Sequence, residues 1–225
     1  MNPILSFQTE REWVTSIVEQ IQKRIMLKVQ DGQDFRLGLS GGSTPGKIYE
    51  ELSKLSLPWN SVEVFVVDER MVPANHPASN QRMIRESFVS QLPVQLKKFV
   101  CFQTELSDQE MLLAYEGEMR TARLDLAMLG IGSDGHTASL FPHGPELNIT
   151  DHLVAKSFAK DQEIQHRFTL TFPALECAAE VFFLVKGKEK KDILKKLESS
   201  DPDNPELPAA RFFHRPTTHV FFSEE

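Results

Sequence analysis

Two spacings of apolar residues alternate along this chain, and each stretch predicts an element. Trp13, Ile17, Val18, Ile21 and Ile25 recur every three or four positions, which defines one face of a helix. Thr9-Glu10-Arg11-Glu12 ahead of them has the form of a capping box, and Gly32 ends the run. The short apolar run Phe35–Leu39 then reads as a strand and Ser40–Pro45 as a loop. Gly46–Leu55 follows as a helix, with Thr44 as its cap and Pro45 in its first turn. Val62–Val67 is a second strand, ending in Asp68-Glu69-Arg70, and Ser79–Leu92 a helix with Met83, Ile84 and Phe88 on one face. Phe99–Phe102 is a short strand, Asp108–Arg123 a helix, and Leu124–Leu129 a strand apolar on both faces. Phe168–Thr171 and Val181–Val185 are further strands, Lys188–Leu197 a helix, and Thr217–Phe222 a final edge strand. Ser199–Pro208, acidic and proline-rich, is a loop. Strands alternating with helices predict an α/β fold, a mainly parallel sheet with helices on both faces. No repeat, low-complexity stretch or shift in composition interrupts the pattern, so residues 1–225 are expected to form one domain.

Composition narrows the partners. The formal net charge is −7 and the basic residues are scattered, so the chain has no electrostatic footprint for nucleic acid or an anionic membrane. An anionic ligand would need a local pocket of positive charge. No stretch approaches the roughly 20 apolar residues of a membrane span. The first dozen residues lack a basic region followed by an apolar run, so the cytoplasm is the expected compartment. Cys101 and Cys177 lie far apart with no CxxC and read as buried small hydrophobes. The histidines show no zinc spacing, and no metal requirement is expected.

The chemistry concentrates after Leu124–Leu129. Gly130, Gly132 and Gly135 break the chain there and present Asp134 and His136 together, at the carboxyl end of a strand where open α/β sheets bind ligands. A histidine suits general-base work near neutral pH, and a neighbouring carboxylate can set its tautomer and orientation. The plainer reading is a turn beside a surface histidine. No serine sits in a GxSxG elbow, so direct activation of water is favoured over an acyl-enzyme.

A second candidate is Gly38-Leu39-Ser40-Gly41-Gly42-Ser43-Thr44-Pro45, between a strand and a helix, where free amides and the helix dipole favour an anion. It is neither a Walker A loop nor GxGxxG, so no nucleotide is implied, and a simple tight turn is its alternative. Arg167 and Lys186 border apolar strands; they are either the missing positive pocket or cations snorkelling from strand ends. Asp68-Glu69-Arg70, directly after an apolar strand, reads most simply as its solvated exit.

Taken in order, LGLSGGSTP (37–45), VDERMVP (67–73) with Ser79-Asn80 after it, LDLAMLGIGSDGHTASLFP (124–142), RFTLTFPAL (167–175) and FFLVKGKEK (182–190) resemble the 6-phosphogluconolactonase family. The resemblance covers most of the chain. It implies a modified doubly wound, Rossmann-like α/β fold shared with glucosamine-6-phosphate deaminases. It also implies hydrolysis of a sugar-phosphate lactone in the oxidative pentose phosphate pathway, without a redox cofactor. By the same resemblance His136 is the base that activates water and Asp134 its acidic neighbour. Ser40, Gly41, Gly42, Ser43 and Thr44 form the phosphate loop, while Arg70, Arg167 and Lys186 face the substrate. The chain departs from the family at its end, HVFFSEE, where members commonly carry a tryptophan-containing strand and Asp-x-Ala-Ala. Two alternatives remain. A deaminase of amino-sugar phosphates typically continues His-Ile-Ala-Phe-Asn-Glu-Pro, whereas this chain reads His136-Thr137-Ala138-Ser139-Leu140-Phe141-Pro142 and lacks the glutamate. A non-catalytic sugar-phosphate sensor would keep the phosphate loop but lose the base, and His136 is present.

Overall fold

The structure is a computed structural model that describes residues 3–160 and 162–225. Its strands, in chain order, are β1 (Ile4–Phe7), β2 (Phe35–Leu39), β3 (Val62–Val66), β4 (Asp68–Arg70), β5 (Lys98–Val100), β6 (Leu126–Gly130), β7 (Val154–Phe158), β8 (His166–Leu170), β9 (Glu180–Lys186) and β10 (Thr218–Ser223). Between them run α1 (Glu10–Gln30), α2 (Gly46–Ser53), α3 (Asn80–Ser87), α4 (Asp108–Arg120), α5 (Phe172–Glu176), α6 (Lys191–Glu198) and α7 (Ala210–Phe213). Seven strands form a parallel sheet in the order β1-β10-β9-β6-β2-β3-β5. Consecutive residues of β6 and β9 are buried, as a sheet covered on both faces requires. This is the doubly wound α/β architecture.

The first helix forms as its pattern dictates. Thr9 Oγ1 accepts from Glu12 N at 3.2 Å and Glu12 Oε2 accepts from Thr9 N at 3.3 Å, closing the capping box. Trp13, Ile17, Ile21 and Ile25 are fully buried, each worth roughly 1.5–3 kcal/mol of transfer from water. Trp13 Nε1 donates to the Phe221 carbonyl at 3.0 Å, fastening α1 to β10.

Chain order and sheet order together create a crevice. From β2 the chain moves outward to β3 and β5; it then returns to the other side of β2 as β6 and proceeds to β9 and β10. The connections after β2 and β6 therefore diverge, and such a switch point opens a crevice at the carboxyl ends of the strands.

Several expectations are corrected. Thr218–Ser223 is not an edge strand, because β1, a four-residue segment too short to stand out in the sequence, pairs with its far side. The 166–170 strand leaves the main sheet and joins β4 and β7 in a three-stranded antiparallel sheet, order β4-β8-β7. Asp68-Glu69-Arg70 is thus a paired strand rather than a solvated exit, with Asp68 and Glu69 buried. Thr44 does not cap α2: Pro45 occupies that position with helical angles and no side-chain cap bond. The helix after Ser79 ends at Ser87 and gives way to a 3-10 turn at Val89–Gln91. Cys177 is exposed at the end of α5 and Cys101 only half-buried, so neither is a fully buried hydrophobe.

Candidate active site

The loop after β6 brings its two polar residues into contact. His136 Nδ1 lies 2.6 Å from Asp134 Oδ1, which also accepts from His136 N at 3.2 Å. A carboxylate only accepts, so Nδ1 carries a hydrogen, and in the neutral ring Nε2 is then the nitrogen with the lone pair. Partial burial opposes ionisation of Asp134, but the hydrogen bonds and charge of His136 outweigh it and hold the carboxyl below its usual range. Gly132 N donates to the His136 carbonyl at 2.9 Å, folding the loop back on itself. A Cβ at Gly132 would collide with the His136 ring and the Asp134 carboxylate, so in this arrangement the pair occupies the space that glycine leaves open. Gly135 has φ +88°, and a Cβ there would come 2.5 Å from Leu207 Cδ2. Leu207 belongs to the 199–208 loop, which also places Pro205 O to accept from His143 N at 3.1 Å. That loop braces the catalytic-loop candidate from outside. On the other side the Phe141 ring stands 4.8 Å from the imidazole.

The loop after β2 forms the facing wall of a cleft of about 270 Å³. Ser40 Oγ donates to the Met128 carbonyl at 2.8 Å and Tyr49 OH to the Ser40 carbonyl at 2.7 Å, which ties this loop to β6 and to α2. The Ser40 hydroxyl is therefore engaged in structure. Gly41, Gly42 and Thr44 also line the cleft, and the Thr44 hydroxyl has no capping bond to make. Ser43 does not line it; its side chain is exposed.

Positive charge enters from β4, β8 and β9. Arg70 and Arg167 are register partners across the antiparallel sheet, and both line the cleft. Arg70 Nη1 donates to the Ala78 carbonyl at 2.8 Å and Arg167 Nη2 to Gln162 Oε1 at 3.3 Å, while the Nε atom of each is buried without a partner. Burial, and then the Arg70 charge, push Arg167 below the usual guanidinium range. Among the described residues neither arginine has a carboxylate in a salt bridge. Like charges held together this way are relieved by an anion between them. Lys186 borders the cleft too, paired with Glu10. The Lys186 and Lys47 ammonium groups in turn hold the Glu10 carboxyl below its usual range.

Sequence reasoning left several residues of this cleft without a role, four polar ones among them. Asp68 accepts from Ser139 Oγ at 2.6 Å, Asn80 opens α3, and Lys190 donates to the Ile131 carbonyl at 2.9 Å; all four line it. All four lie in or directly beside the runs that carry the family resemblance, but no local pattern assigns them a place in the cleft. Among the described residues no three of His, Cys, Asp and Glu gather to hold a metal ion, and no helix is long and apolar enough to cross a membrane.

Fold and cleft together define a doubly wound α/β protein whose crevice is lined by an oriented imidazole, a glycine-rich loop and several cations. Residues 8–221 match the model of the family described as glucosamine-6-phosphate isomerases/6-phosphogluconolactonase, and the chain belongs to that family. It is 36% identical over 199 residues to a 6-phosphogluconolactonase of Synechocystis, covering 84% of this chain and 82% of that one. It is 33% identical over 204 residues to the 6-phosphogluconolactonase of Thermotoga maritima, covering 90% and 92%. The crystal structure of a T. maritima 6-phosphogluconolactonase superposes with a TM-score of 0.85 at 32% identity, covering 98% of this chain and 99% of that one.

Proposed function

We propose that this protein hydrolyses 6-phospho-D-glucono-1,5-lactone to 6-phospho-D-gluconate, with His136 as general base. One observation carries the reading: the Asp134 carboxylate fixes the His136 tautomer, leaving Nε2 basic, in the same cleft as the amide loop and the unpaired arginines. In this reading the 40–44 loop, Arg167 and Lys186 hold the phosphate, with Gly41, Gly42 and Thr44 supplying the loop's contacts. The far end of the ring then lies at His136. Nε2 takes a proton from water as the water oxygen bonds to the lactone carbonyl carbon, and Asp134 stabilises the imidazolium. The developing alkoxide needs donors, and the buried, unpartnered Nε–H of Arg70 is one held ready. Collapse breaks the bond between the carbonyl carbon and the ring oxygen, and the imidazolium returns its proton to that oxygen. Water is consumed and no other reactant is needed. The cleft draws on residues from Ser40 to Lys190, so in this reading residues 1–225 act as one catalytic unit.

General-base assistance is worth roughly 10²–10⁴-fold. His136→Ala is therefore expected to lower kcat by about that factor with binding of 6-phosphogluconate retained. Hydrolysis of freshly generated lactone, followed above its spontaneous rate with glucono-δ-lactone as the phosphate-free control, is the test. Near-wild-type turnover in the variant removes His136 from the role. Ammonia release from glucosamine 6-phosphate at a comparable rate overturns the lactonase reading; the glutamate a deaminase carries is missing from 137–142, which disfavours that outcome.

A further inference from the structure

Asn80 is 1% exposed and borders the cleft, yet the reaction as drawn assigns it no task. Its backbone N–H donates to Glu69 Oε1 at 2.7 Å, and its side-chain Nδ2 donates to the Asp68 carbonyl at 2.7 Å. Its Oδ1 is buried with no hydrogen-bond partner. Glu69 holds this end of α3 rigidly, since its fully buried carboxylate also accepts from Arg70 N at 2.8 Å, Ser79 Oγ at 3.1 Å and Gln81 N at 2.8 Å. The carboxamide therefore cannot swing aside.

What it presses on is Gly41. A Cβ built at Gly41 would fall inside the Asn80 carboxamide and only 2.7 Å from Asn80 Cβ. Gly41 is not among the glycines with positive φ, so its backbone angles do not demand glycine; the contact with Asn80 does. A buried acceptor without a donor calls for a reason, and close support of the neighbouring backbone supplies one.

We propose that Asn80 is a positioning residue that buttresses Gly41 and so sets the 40–44 loop at the distance from which its amides cradle a phosphate. The proposal rests on the reading of that loop as the phosphate site. Gly41 and Asn80 then form a size-matched pair, in which bulk added on one side must be removed from the other.

The experiment is a swap, read as the KM for 6-phosphogluconolactone and for glucono-δ-lactone. Gly41→Ala pushes the loop off its support and is expected to raise KM for the phosphorylated lactone at least tenfold, a larger factor than for glucono-δ-lactone. Asn80→Gly loosens the loop and is expected to raise the same KM about fivefold. In the double variant the new methyl fills the vacated space, and KM falls below that of either single variant. Loss of stability does not produce that pattern, because two destabilising changes do not repair each other unless their sites are coupled. An unchanged KM in both single variants, or a double variant no better than Gly41→Ala, overturns the proposal. If Gly41→Ala shows no cooperative melting, Asn80→Gly alone decides: an unchanged KM for the phosphorylated lactone sinks it. Equal KM values of the wild type for the two lactones would instead overturn the reading of the loop, which distinguishes the two failures.

Discussion

His136 and Asp134 meet because they are two residues apart on one loop, and such a local arrangement is readable from the chain. The glycine that allows it, Gly132, is equally local. Its replacement by alanine would drive a methyl into the imidazole and carboxylate. Gly132→Ala is therefore expected to lower kcat by at least about 10²-fold, close to the effect of removing the base, while the melting temperature moves by only a few degrees. A normal kcat in a folded variant would show that the loop has another way to accommodate the pair. Other residues of the cleft were not readable. Asp68, Asn80 and Ser139 stand in or beside the runs that carry the family resemblance, yet no local pattern gives them a task, and only the fold brings Ser139 within 2.6 Å of Asp68. Ser43 shows the converse, for its neighbours Gly42 and Thr44 line the cleft while its own side chain is exposed.

At the scale of elements, β4 explains why three charged residues follow an apolar strand. Successive side chains of a strand point to opposite faces, so Asp68 and Arg70 enter the cleft while Glu69 turns away from it to the start of α3. Burial raises the pKa of Glu69, outweighing the backbone N–H groups of Gln81, Asn80 and Arg70 that favour its ionised form. Glu69→Ala would leave those three buried N–H groups without an acceptor, and a loss of at least about 3 kcal/mol of unfolding free energy is expected. Urea denaturation checks it; a change below about 1 kcal/mol would mean that water or a rearranged α3 takes over the carboxylate's place. The pattern-based reading could not see this strand, since three residues are too few to show a period and its partner β8 lies about a hundred positions away.

Across the whole molecule the two ends of the sheet are used differently. The carboxyl ends carry the cleft, while at the amino end of β9 Glu180 pairs with Arg24 of α1 at 2.6 Å and with His219 Nε2 of β10 at 3.0 Å. Partial burial works against its ionisation, but His219 and Arg24 outweigh this and lower the Glu180 pKa from 4.5 to about 2. A carboxylate depressed by folding stabilises above its unfolded pKa and loses that contribution as pH falls through its folded pKa. The stabilisation is thus present above pH 4.5 and disappears toward pH 2. Its size is on the order of 2 kcal/mol, given that the pair is partly exposed. Glu180→Gln is expected to be less stable than the wild type at pH 7 by about that amount, with the gap closing below pH 4.5. A gap independent of pH would assign the loss to packing instead.

The chain's own pattern determined α1 with its capping box, the apolar strands β2, β3, β6 and β9, and the Asp134/His136 loop, because each depends on residues within a turn or two of one another. Tertiary structure decided the rest. The neighbours of β10, the separate antiparallel sheet and the meeting of Arg70 with Arg167 all depend on which distant segments pair, and hydrophobic periodicity carries no information about partners. The contact between Asn80 and Gly41 is of the same kind. It is a close fit between the loop after β2 and the first residue of α3, set by packing that no local pattern encodes.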